Sequence, residues 1–161
     1  MSDTLVQNYL LQIQRAYEGD NWLDEDINKK LTLVDDHNAF IKPASDIHSI
    51  AEVVSHIIEW RKELLGRLET GRVPVLKMES PGNWIPNDVL QQKGWQHLLD
   101  ELQNTQRNIA ALLQQKDDAF LSSEWLGGEN YGFLVAGWIE HDIYHLGQIG
   151  LIYKMVSRTG K

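Results

Sequence analysis

The chain has 161 residues, which suits one domain built around one hydrophobic core. Its formal net charge of -8 disfavours nucleic acid and anionic lipid as partners. The absence of cysteine excludes disulfides, thiolate nucleophiles and cysteine-bound zinc, so any metal ion must be held by His, Asp or Glu.

The N-terminal segment does not resemble a signal peptide, because an acid stands at position 3 and no long apolar core follows. No apolar run approaches the roughly 20 residues that a membrane span needs. We therefore expect a cytoplasmic protein without a membrane segment, folded as a single domain over residues 1–161.

Four long segments have the apolar periodicity of amphipathic helices. The first covers about Asp3 to Tyr17 and stops before Gly19, a plausible helix terminator. The second begins near Ser49, which forms a capping-box pattern with Glu52, and is closed by Gly71.

The third predicted helix runs from about Asn87 to Gln115, and the fourth from about Asn130 to Val156. A shorter helix is expected near Asp26 to Val34. Strand patterning is nearly absent, so the sequence predicts an all-α protein, a four-helix bundle with an additional short helix. The lengths of the connections leave the topology of the bundle open.

Three of the six histidines have ordinary positions. His37 lies in a polar loop, His48 precedes the Ser49 cap, and His97 lies among polar residues on the third predicted helix. We interpret these three as residues without a ligand role.

His141 and His145 are different, because residues four apart on a helix lie on the same face. They continue the apolar stripe of Leu134 and Trp138, which faces the interior of the bundle. Two imidazoles in that position are either hydrogen-bonded core residues or two ligands of one metal ion. His56 on the second helix is a candidate third ligand, and three protein ligands would leave a coordination position open, as in catalytic sites.

Two other kinds of metal site can be compared with this pattern. A di-iron carboxylate bundle needs Glu-x-x-His on two helices, and the chain contains no such sequence. The stretch HDIYH resembles the zincin pattern His-Glu-x-x-His with Asp142 in place of the glutamate. Asp142 is therefore either a catalytic group or a residue that holds a ligand imidazole in place.

Two stretches carry a resemblance to a known family. SIAEVVSHIIEWRKELLGRL on the second helix and GWIEHDIYHLGQIGLI on the fourth resemble the DinB/YfiT-like superfamily, and the flanking KPASDIHSI and GENYGFLVAGWIEHDIYHLGQI match as well. The resemblance covers nearly the whole chain, from the first helix to about Lys154.

The resemblance implies an up-down-down-up bundle with a long crossover, and a homodimer. It also implies a divalent metal ion, nickel or zinc, held by His56, His141 and His145. Characterised relatives include thiol-dependent S-transferases that use low-molecular-weight thiols, and proposed metal-dependent hydrolases. We therefore expect a metal-dependent enzyme of either type that acts on a small-molecule substrate. A non-catalytic stress-response protein with a structural metal is the alternative.

Further residues near the ligands are candidates for the substrate pocket. Trp60 could form an apolar wall, and Tyr144 and Gln148 could donate or accept hydrogen bonds, although ordinary packing would also explain all three. The small residues of the fourth helix predict a close helix contact, either within the bundle or across a dimer; they are Ala136, Gly137, Gly147 and Gly150.

Overall fold

The computed structural model of the chain describes residues 4–159 and shows an all-α bundle, which confirms the predicted fold class. Its helices are α1 (Leu5–Glu18), α2 (Ile27–Leu31), α3 (Ile50–Thr70), α4 (Asn87–Lys93), α5 (Trp95–Leu113), α6 (Asp118–Ser122) and α7 (Tyr131–Thr159). Strands β1 (Glu124–Leu126) and β2 (Glu129–Asn130) form a small antiparallel hairpin. Asp3, at the start of the first predicted helix, lies outside the described residues. None of the described helices is long and apolar enough to cross a membrane.

Side-chain caps mark the starts of α2 and α3. The predicted capping box of α3 is confirmed, because Ser49 Oγ accepts from the Glu52 amide at 3.1 Å and Glu52 Oε2 accepts from the Ser49 amide at 2.9 Å. The predicted short helix begins after Asp26, whose Oδ1 accepts from the Lys29 amide at 2.7 Å. It is shorter than the sequence suggests and ends at Leu31.

The third predicted helix is two helices rather than one. Gly94 separates α4 from α5 with a φ of 87° and a ψ of 153°, a conformation that residues with a side chain rarely adopt. The prediction of a single helix from Asn87 to Gln115 is wrong because the apolar periodicity continues across the break, whereas the helical backbone does not.

Contacts between helices define the direction of α1 relative to α5. Gln106 in α5 donates through Nε2 to the carbonyl oxygen of Ile13 near the end of α1, at 3.3 Å. Asp118, beyond the end of α5, accepts from the amide of Val6 near the start of α1, at 3.0 Å. The two helices are therefore antiparallel.

The helices α3 and α5 are parallel. Lys62 Nζ lies 3.2 Å from Glu101 Oε1, and further along both helices Leu68 and Ile109 belong to the same core cluster. The crossover of residues 71–94, which includes α4, returns the chain to the level where α3 begins.

The helices α3 and α7 are antiparallel. His56 packs against His145, whereas Arg61, later in α3, pairs with Asp142, earlier in α7. The four long helices are thus arranged up-down-down-up with a long crossover, as the resemblance implies.

An ion pair inside the core joins these helices. Arg61 and Asp142 have side chains only 0% and 4% exposed. Arg61 donates to Asp142 Oδ2 through Nη2 at 2.6 Å and through Nε at 3.1 Å, and through Nη1 to the Leu102 carbonyl at 3.3 Å. Its guanidinium carbon also lies 5.4 Å from the ring centre of Tyr17 and 5.5 Å from that of Trp138. One side chain in α3 therefore contacts α1, α5 and α7.

Replacing Arg61 with Met should lower the free energy of unfolding by about 3–5 kcal/mol, because Asp142 would remain buried without a counter-charge. Chemical denaturation measures this change. Lys62→Met is the matched control, since the Lys62 pairs with Glu59 and Glu101 are partly exposed and should contribute less than about 1 kcal/mol. Equal losses in the two variants would contradict the role assigned to Arg61.

Candidate metal centre

Three histidines from two helices converge inside the bundle. Nε2 of His141 lies 3.1 Å from Nε2 of His56 and 3.1 Å from Nε2 of His145. One ligand atom from each ring lies within 4.8 Å of the other two. His56 and His145 are buried, whereas the side chain of His141 is 25% exposed and forms the edge of the site that solvent reaches.

Hydrogen bonds determine which nitrogen is free in two of the rings. His56 Nδ1 lies 2.8 Å from the Asn83 carbonyl oxygen, and His145 Nδ1 lies 2.6 Å from Gln148 Oε1. Both partners are acceptors, so Nδ1 carries the proton in each ring. A neutral imidazole has only one N–H, and Nε2 of both rings therefore presents a lone pair towards His141.

The three Nε2 atoms have too few protons to hydrogen-bond to one another, so a cation is needed between them. Only His141 can carry a proton on Nε2, and one N–H cannot make two well-aligned hydrogen bonds to His56 and His145. Two nitrogens bound ~2.0–2.1 Å from a tetrahedral ion lie roughly 3.3 Å apart, close to the 3.1 Å between these rings. The three histidines therefore fit a metal ion in both donor type and spacing.

Burial keeps two of the rings neutral. The pKa of both His56 and His145 is lowered from 6.5 to about 4, and the largest cause is the loss of solvent on burial. The nearby His141 contributes to the lower pKa of both rings, whereas the hydrogen bonds that the rings donate to Asn83 and Gln148 act in the opposite direction. Because a neutral imidazole is the form that binds a metal ion, both rings are ready to bind at neutral pH.

Asn83 in the crossover loop connects the loop to the site. Its side chain is buried, its carbonyl oxygen accepts from His56, and its Oδ1 accepts from Trp60 Nε1 at 2.8 Å. Its Nδ2 donates to the carbonyl oxygen of Met78 at 2.8 Å, which fixes the loop conformation. One loop residue thus orients both the candidate ligand His56 and Trp60, which forms a wall of the site.

Trp84, the next residue, covers the other side of His56. The two rings are stacked with centres 4.0 Å apart, and His48 stacks on Trp84 at 3.7 Å. No role for Asn83 or Trp84 was predicted from the sequence. The available signal was a tryptophan between two prolines in the stretch PGNWIP, where a large apolar ring needs a surface to cover.

Asp142 lies on the Nδ1 side of His141, opposite the nitrogen that faces the other histidines. Its Oδ1 lies 3.8 Å from His141 Nδ1, and both atoms are buried without a hydrogen-bond partner among the described residues. The distance is too long for a hydrogen bond, yet an N–H at Nδ1 and the carboxylate are complementary. This geometry favours a role for Asp142 in orienting His141 over the zincin-like catalytic role. Its other carboxylate oxygen, Oδ2, accepts from Arg61.

The predicted pocket residues lie in three different surroundings. Trp60 lines an apolar groove beside His141. Gln148 is a hydrogen-bond partner of His145, and Tyr144 is largely exposed with its ring edge-on to His145, at 5.0 Å between centres. Trp60 therefore lies beside His141, Gln148 lies beside His145, and Tyr144 remains largely at the surface.

The remaining histidines stay apart from the site, with one exception. His37 and His97 are exposed, as expected for residues without a ligand role. His48 is partly exposed and reaches the site only through its stacking on Trp84.

The fold and the three histidines define a helical-bundle protein with a centre that could hold a metal ion. The sequence model of the DinB superfamily matches residues 23–149, and the chain therefore belongs to the DinB superfamily. The match includes all three histidines and leaves α1 outside. The comparison with curated proteins and the comparison with solved structures gave no match.

Replacing Asp142 with Asn should weaken metal binding by roughly 10–100-fold, because the amide orients His141 less well than a carboxylate does. Competition with a chromophoric zinc chelator measures the affinity. The control is Glu140→Gln, which also replaces a carboxylate of α7 with an amide but at an exposed position, and it should leave the affinity unchanged. The assignment fails if Asp142→Asn binds zinc as tightly as the parent protein.

The free energy of unfolding of the metal-free protein should fall as the pH drops from about 6.5 to about 4. In this range the unfolded chain binds protons at His56 and His145, whereas the folded protein does not until its pKa of about 4 is reached. Glu63 affects the free energy of unfolding mainly at lower pH. Its burial raises its pKa, but hydrogen bonds from Arg72 and the Val75 amide outweigh this effect and lower the pKa from 4.5 to about 2.

Urea denaturation at a series of pH values measures this dependence. Replacing His145 with Gln should make the profile shallower, since one proton-binding group is removed. A flat profile between pH 7 and pH 4.5 would show that the buried rings do not resist protonation.

Proposed function

We propose that the protein is a metal-dependent enzyme in which His56, His141 and His145 hold a divalent ion, nickel or zinc. The observation that carries this proposal is the convergence of three Nε2 atoms beside a groove that reaches His141. Three protein ligands leave a coordination position free for a reacting molecule, whereas structural sites are usually closed by four.

A divalent ion in such a site lowers the pKa of a bound water or thiol and polarises a substrate oxygen. The residues of the chain prepare the site for this chemistry. Asn83 and Gln148 hold two rings with Nε2 facing inward, and Trp84 covers one face of His56 against water. The partly exposed edge of His141 is where a small-molecule substrate has access.

Two reaction types fit this site. Hydrolysis of the substrate requires only water in addition to the ion. S-transfer requires a low-molecular-weight thiol as cosubstrate, because the chain has no cysteine of its own. Turnover measured with and without an added thiol separates the two types.

Replacing His141 with Ala should abolish the metal-dependent activity, by at least 100-fold, and leave most of the fold intact, because His141 is the most exposed of the three rings. Elemental analysis of protein purified without added metal gives the occupancy and the identity of the ion, and thermal unfolding gives the stability. His97→Ala, an exposed histidine of α5, is the control for both.

The outcomes separate the enzyme from its alternative. A sharp fall in melting temperature of the His141→Ala variant, with no activity in the parent protein, would point to a non-catalytic protein with a structural metal. An unchanged metal content in the His141→Ala/His145→Ala double variant would refute the site.

We also propose that the protein is a homodimer that uses the outer face of α7. Ile143 and Leu151 are exposed there, and no atom of the described chain lies within 4 Å of a Cβ built on Gly147. The described residues therefore do not provide the predicted close helix contact at this glycine, and a second copy could provide it. At Gly150 the nearest group is the side chain of Lys30.

A further inference from the structure

An apolar groove between α3 and α7 leads away from His141. Its volume is about 230 Å³, below the roughly 300–1,000 Å³ of pockets for drug-sized ligands, so it suits a small molecule. The apolar part of its lining consists mainly of Trp60, Leu64, Leu134 and Trp138.

Among the described residues, Arg67 is the only Arg or Lys that lines the groove. Its Nε donates to Glu63 Oε1 at 2.9 Å, and its guanidinium carbon lies 5.3 Å from the ring centre of Trp125. Among the described residues nothing accepts a hydrogen bond from Nη1 or Nη2 of Arg67. Glu63 also pairs with Arg72 at 2.8 Å, so two guanidinium groups share one carboxylate and one positive charge remains in excess.

The groove has two chemically different ends. Trp60 lies beside His141, with ring centres 6.0 Å apart, at the end near the candidate metal centre. Arg67 follows Trp60 by seven residues on the same helix, which places it roughly 10 Å further along the helix axis. A molecule that fills the groove can therefore contact the metal centre at one end and a guanidinium at the other.

We propose that this groove binds a small carboxylate substrate, with its carboxylate on Arg67, its apolar body against Trp60 and Trp138, and its reactive end at the metal centre. This inference rests on the proposed function and names the substrate class of the same site. Arginine binds carboxylates through paired N–H groups, and the two unused Nη atoms of Arg67 are available for this. A single excess charge matches a singly charged carboxylate better than a phosphate dianion. Arg67 is thus a specificity-determining residue.

Gly137 keeps the groove open. No atom of the described residues lies within 4 Å of a Cβ built on this glycine, although it lies within the second turn of α7. A larger side chain at this position would occupy the space that the substrate body needs, without displacing a neighbouring residue.

The test compares 4-phenylbutyrate with its uncharged amide, 4-phenylbutyramide, by isothermal titration calorimetry. The protein is used both as purified and after treatment with a chelator, because a carboxylate could otherwise bind to the ion itself. We expect the acid to bind at least tenfold more tightly than the amide in both forms. Arg67→Met should abolish this preference, whereas Lys62→Met should keep it, since Lys62 is also a cation of α3 but pairs with Glu59 and Glu101 and does not line the groove.

Two substitutions at Gly137 test the location independently of charge. Gly137→Leu should reduce the binding of both compounds at least tenfold, whereas Gly137→Ala should change it less than threefold, and thermal unfolding checks that both variants are folded. Equal affinity for acid and amide, an unchanged preference in Arg67→Met, or full binding by Gly137→Leu would overturn the proposal. Selective binding of the acid by a protein that neither binds metal nor shows activity would instead refute the proposed function and leave the anion site in place.

Discussion

The buried ion pair between Arg61 and Asp142 sets the register of α3 against α7, and the candidate site depends on that register. A shift of one helix by a single turn, about 5.4 Å, would leave two charges without partners in the core, at a large cost in free energy. The same register places His56 opposite His141 and His145, and it aligns the two walls of the groove. Asp142 therefore contributes both to the fold and to the surroundings of a candidate ligand.

The centre is a polar cluster placed in an apolar interior, and the crossover loop makes this possible. Buried imidazoles need hydrogen-bond partners, and helix backbones have few free groups to offer in the middle of a bundle. For His56 the partner is the carbonyl oxygen of Asn83, a loop residue with no such restriction. The loop between α3 and α4 is thus part of the site and not only a connection.

Much of this arrangement could be predicted from local sequence patterns. Apolar periodicity located the four long helices, and the pair Ser49 and Glu52 located the start of α3. The spacing of His141 and His145 predicted two rings on one face, and His56 was a candidate because it lies at the apolar edge of another helix. The break at Gly94 was missed, because periodicity reports the exposure of side chains and not the continuity of the backbone. The partners of the histidines were missed as well, since Asn83 is 27 residues from His56 along the chain.

The sequence by itself determined the all-α framework, the family and the three candidate histidines, because these depend on residue types at short spacings. Only the tertiary structure decided which nitrogen of each ring faces the centre, and that Asp142 pairs with Arg61. It also decided that Arg67 and His141 share one groove. The physical reason is that hydrogen bonds and ion pairs between distant segments follow from the packing of whole helices, and no local pattern contains that information.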